Sequence, residues 1–202
     1  MPFRAVSSRL RPLAPAMALA GLLGACAYVP LSSLYRLKSF DLGAFDPAAL
    51  RIAIRISDAV ERRPGAVVKI ETVFSGEEAS RRVQEIAMES VTEAGELAPL
   101  GSFNQSGEKL YLYRIAPKDV ARVRALQEEG KARSKSGAKA NVEIKPEPKG
   151  CLARPLPPGP LHADLIVRIE PQEPYFVVLK RLELRSELAN RGVDLAEHLP
   201  PC

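Results

Sequence analysis

Hydrophobic and polar positions alternate most regularly over residues 50–57, where Leu50, Ile52, Ile54 and Ile56 fall on one face and Arg51, Ala53 and Arg55 on the other. A period of two predicts a half-buried strand. Residues 61–65 (Glu-Arg-Arg-Pro-Gly) carry turn chemistry. Residues 67–74 are rich in β-formers again, so the two runs read as a long hairpin. Residues 80–94 fit two periods. Val83, Ile86, Ala87, Val91 and Ala94 match a helical stripe, while Ile86 and Met88 match a returning strand; the balance tips slightly to helix. A polar loop is expected over 95–107. Residues 109–115 predict a strand with Tyr111 and Tyr113 on one side, Leu110 and Leu112 on the other. Pro117 opens a helix, with Asp119 in its first turn, an apolar stripe of Val120, Val123 and Leu126, and a stop at Gly130.

Residues 131–150 are small, polar and basic, and include a strand at 141–145. Residues 151–160 form an extended, proline-rich connector. Two strand-like runs follow, 164–170 and 175–184, and a short helix is expected within 186–200. Five to seven strands with one or two helices predict a mainly β (α+β) domain, β-sandwich-like in build. Composition agrees with a globular chain: 202 residues, 46% hydrophobic and 26% charged. It excludes a coiled coil, a collagen-like repeat and a polytopic membrane protein.

The first 26 residues follow another logic. Arg4, Arg9 and Arg11 form a positive n-region without an acidic residue, and an apolar run covers 13–25. That run is shorter than the ~20 residues that span a bilayer and suits a signal-peptide h-region. It ends in Leu23-Gly24-Ala25-Cys26. An aliphatic residue, two small residues and a cysteine resemble the lipobox of bacterial lipoproteins. The resemblance covers the leader alone, and it implies cleavage before Cys26, acylation of the Cys26 thiol and stable anchoring by several acyl chains. It divides the chain into a leader (1–25), a lipidated N-terminus and tether (26–45) and a single periplasmic domain (46–202). Ala27 in place of aspartate points, by the sorting rule of that class, to the outer membrane, with the inner membrane as the alternative. Removing the leader lowers the net charge from +5 to +2, which argues against nucleic acid as a partner.

With Cys26 acylated, Cys151 and Cys202 remain, and two cysteines in an oxidising compartment read as one disulfide. The rival is a Cys2His2 zinc set of Cys151, His162, His198 and Cys202, but the spacings contain no short chelating pair. No metal or other cofactor is expected.

Motifs for catalysis are sparse. Ser106–Lys109 and Ser136–Lys139 both match SxxK, and 135–137 (Lys-Ser-Gly) resembles the KTG element of penicillin-binding enzymes. Both matches fall in glycine-bearing loops, one serine would fill two roles, and no SDN element is present. GxSxG, HExxH and Walker-type loops are absent from the sequence. His162 and Asp164 read as a solvated pair on one strand face; Glu77-Glu78 and Glu128-Glu129 read as solvated faces. The basic stretch 131–149 reads as a mobile solvated loop, with anionic headgroups or polymers as its alternative partners. Tyr111 and Tyr113 read as sheet packing rather than a ligand groove. The expectation is a non-enzymatic envelope module, held to the membrane by acyl chains and binding an envelope protein or anionic polymer. The alternative is a small hydrolase acting on cell-wall material.

Overall fold

The computed structural model describes residues 28, 30, 33, 40–75, 80–135, 139–147, 149–190, 192–195 and 199–202. The leader, Cys26 and His198 lie outside them, as do Glu77-Glu78 and Ser136.

Nine strands, β1 (Arg51–Ser57), β2 (Val60–Arg62), β3 (Val67–Ser75), β4 (Ser80–Val91), β5 (Glu108–Ile115), β6 (Lys139–Glu147), β7 (Gly150–Leu152), β8 (His162–Arg168) and β9 (Phe176–Glu183), make the protein mainly β. Among the described residues three helices accompany them: α1 (Ala94–Leu97), α2 (Pro117–Lys135) and α3 (Leu184–Asn190). A 3-10 turn, Ala98–Phe103, continues α1. Seven strands form one antiparallel sheet in the order β6-β3-β4-β5-β1-β8-β9, and β2 pairs with β7 in a separate ribbon.

The register places Ile54, Tyr111 and Leu165 side by side on one face, and Ala53, Leu112 and Ile166 on the other. Both faces are covered. On the first, α2 lays Val120, Val123 and Leu126 over Ile86, Ile115 and Ile70. Beside it, the ribbon and α3 bring Val60, Leu152 and Leu184 against Ile56 and Leu161. This two-stranded second layer gives the fold its sandwich-like character. On the second face, Leu97, Leu100 and Phe103 pack over Ala53, Val91, Leu112 and Ile166. Ala53, Leu112 and Ile166 are fully buried, so the β1 strand is covered on both sides rather than half-buried.

Four sequence expectations change here. Residues 80–91 form a strand, not a helix. The buried face switches along it: Ile86 faces α2, whereas Val91 faces Leu100. That switch mimics a helical stripe. The strand also changes partner, pairing with β3 over 80–87 and with β5 over 88–91. At the changeover the Ala87 amide donates to buried Asp119 (2.8 Å), the first-turn acid of α2. Next, β1 does not form a hairpin with β3; its neighbours are β5 and β8. The expected loop 95–107 holds α1 and the 3-10 turn, whose Leu100 is 2% exposed. Finally, α2 runs past Gly130 to Lys135 and β6 follows, so most of the basic stretch is regular structure.

Residues 40–45, the described end of the expected tether, lie against the domain together with 46–50. Phe45 and Leu50 join the α2 core, and Gln127 of α2 donates to the Leu42 and Phe45 carbonyls.

Candidate functional site

The second sheet face is polar at both ends and apolar in the middle. At one end Arg114, Arg51 and Arg168 stand next to one another on β5, β1 and β8. Glu96 of α1 bridges two of them, bidentate to Arg51 (3.2 and 2.8 Å) and 2.9 Å from Arg168. The Arg51 guanidinium beside it holds the Glu96 carboxyl below the usual range. Arg168 stacks over the buried Tyr175 ring, 4.9 Å from its centre, and burial pushes the Tyr175 hydroxyl up. This cluster fastens α1 to the sheet.

The other end is built around Arg55. Its guanidinium pairs with Asp164 of β8, lies 3.0 Å from Glu108 of β5, and donates to the Phe103 carbonyl at 2.8 Å. Asp164 is 5% exposed, so the expected solvated partner of His162 is a buried one. Its second oxygen accepts the Arg181 amide at 2.6 Å. Arg181 sits at φ 53°, in the left-handed region that non-glycine residues rarely enter. The β8–β9 register is irregular at the same place, on both sides of Leu165. The Arg181 guanidinium in turn lies 3.1 Å from Nδ1 of His162.

A cleft of about 210 Å³ opens beside this cluster, lined among others by Ser57, Ser106, Glu108, Leu156, His162 and Arg185. Serine, histidine and carboxylate therefore meet in one cleft, but their bonds point elsewhere. An arginine donates only, so Nδ1 of His162 accepts and the ring proton belongs on Nε2. Glu108 faces Arg55, and the Ser57 hydroxyl accepts from the Ala59 amide at 3.3 Å. Nε of Arg185 is buried without a partner among the described residues. The cleft wall thus combines the Ser57 and Ser106 hydroxyls, the Glu108 carboxylate, the His162 imidazole and the Arg185 guanidinium.

The remaining candidates fall into structural roles. Cys151 and Cys202 lie at disulfide distance, their Cα atoms 5.0 Å apart. The bond uses both thiolates that a zinc set would need. Residues 200–202 run along β7: the Leu152 amide donates to the Pro200 carbonyl (2.8 Å) and the Cys202 amide to the Leu152 carbonyl (3.0 Å). Lys109 pairs with Glu61 of β2 and is not among the residues that line the cleft with Ser106. Glu128 pairs with Lys131 and Glu129 with Arg133 along α2. Tyr111 donates to the Val60 carbonyl (2.6 Å), and burial with the nearby Glu61 charge pushes it up to about 12; Tyr113 is buried as well. Sequence reasoning missed Arg55, Glu108 and Arg181. The one available signal was the alternation itself, which sets Arg51 and Arg55 on the face opposite the isoleucines.

Comparison with protein families, with curated proteins and with solved structures finds no match for this chain.

Proposed function

We propose that this chain is a lipid-anchored protein of the bacterial cell envelope, acylated on Cys26. Its folded part faces the periplasm and acts as a non-enzymatic binding or structural module, at the outer membrane by the Ala27 rule. The observation that carries this reading is the leader: three arginines, a 13-residue apolar run and Leu-Gly-Ala-Cys in immediate succession. The Cys151–Cys202 pair supports an oxidising compartment. The buried Nε of Arg185, without a partner among the described residues, supports binding of an acceptor group in the cleft, such as an envelope protein or an anionic polymer offers. The rival hydrolase reading rests on the cleft that gathers Ser57, Glu108 and His162, and the Arg181–His162 contact argues against it.

Fractionation with mass spectrometry of the mature N-terminus tests the anchor. Wild type is expected in the membrane with acyl mass on Cys26, and Cys26→Ser as an unprocessed or soluble form. Equal membrane recovery of both, with no acyl mass on the wild type, would refute the reading.

A further inference from the structure

Strand β9 is the last of the sheet, and its outer edge is occupied by the chain that directly follows Cys26. The Lys180 amide donates to the Tyr28 carbonyl at 2.7 Å. The Ser33 hydroxyl donates to the Val177 carbonyl, and Ser33 is 2% exposed. Only Ala27 separates Cys26 from Tyr28, and two extended steps along the chain reach about 7 Å. An acylated Cys26 therefore holds the Lys180 end of β9 at the bilayer surface, with no long tether between.

At that point the strand departs from regular geometry. A regular strand sends successive side chains to opposite faces, yet Lys180 and Arg181 are both exposed. The left-handed Arg181 makes this possible, and the conformation is held by buried Asp164 from below and braced by His162 at the guanidinium. Strain of this kind persists only where the surroundings enforce it, and it marks places with a task. The nearest acid along the chain, Glu183, is engaged by the Ser186 hydroxyl and by the Leu161 and Ser186 amides. Two adjacent cations thus stand beside the anchor.

We propose that Lys180 and Arg181 form a contact for anionic phospholipid headgroups, which lays the β9 edge of the domain against the bilayer. Phosphate oxygens match the guanidinium fork and the ammonium, and basic residues next to an anionic surface add to acyl anchoring. The inference rests on acylation of Cys26.

The test uses the processed, lipidated protein in phosphatidylcholine vesicles with and without phosphatidylglycerol. A water-soluble amine reagent labels exposed lysines, and peptide mass spectrometry reads the rates, with exposed Lys118 of α2 as the internal reference. Phosphatidylglycerol is expected to slow labelling of Lys180 several-fold while Lys118 is unchanged, and Arg181→Glu should remove most of that protection. Equal Lys180 rates on both vesicles, with acyl mass present on Cys26, would overturn the headgroup contact and leave the anchor standing. Absence of acyl mass would overturn the anchor itself.

Discussion

Asp164 shows how much of this molecule depends on single buried charges. It accepts from Arg55 and from the Arg181 amide while almost wholly buried. Asp164→Ala leaves a poorly solvated guanidinium and an unpaired amide in a left-handed residue, so a loss of about 3–5 kcal/mol is expected in urea unfolding. Asp164→Asn, which keeps an acceptor, should lose less. Glu183 makes a different contribution. Its carboxylate takes the Ser186 hydroxyl and the Ser186, Leu161 and Arg185 amides at the start of α3. These bonds lower its pKa from an ordinary 4.5 to about 2. The unfolded chain binds the proton first, so the stabilisation is complete above pH 4.5 and fades as the pH falls toward 2. Glu183→Gln is expected to cost about 1 kcal/mol at neutral pH and to flatten the unfolding midpoint against pH between 5 and 2. An unchanged acid profile would show that other carboxylates set it. Neither residue was legible beforehand, because the partners of Asp164 come from β1 and from the β9 irregularity, and no local pattern encodes that meeting.

Elements were legible where one period ruled. Strand β5 and the start of α2 follow their alternation and their Pro-Asp opening, because each keeps one period from end to end. Strand β4 misled, because its inward face changes at the point where it leaves β3 for β5. The segment 94–103 misled for another reason: its glycine, proline and serine read as loop, while Leu97, Leu100 and Phe103 fasten it over the sheet. Leu100→Ala tests that role. A fully packed leucine predicts a loss of about 2–5 kcal/mol, measured by urea or thermal unfolding, whereas a loop residue would change stability by less than about 0.5 kcal/mol. The cysteine pair stood out for a simpler reason, since thiols are few and each admits few chemistries.

Across the whole molecule, the disulfide joins the ribbon to residues 200–202 and closes the apolar cluster containing Leu195 and Leu199. The bonded cysteines are 51 residues apart, a loop for which chain entropy predicts about 4 kcal/mol of stabilisation. Cys202→Ser should lower stability by up to that amount under oxidising conditions and should itself show no difference between oxidising and reducing conditions. Equal unfolding curves for the two wild-type forms would show the bond to be mechanically idle.

The strand order carries one more consequence, for the sequence of events in time. Strand β1 sits between β5 and β8, and Arg51 finds its neighbours at Arg114 and Arg168. A growing or emerging chain thus presents the Ile-rich β1 first and supplies its partners β5 and β8 only later, while the β3–β4 hairpin can close locally. Pairings of such long range are slow to form, and apolar strands that wait unpaired invite aggregation. Strand β1, interior to the finished sheet, is therefore a vulnerable part of the unfinished one, and a holding chaperone or rapid arrival of β5 would protect it.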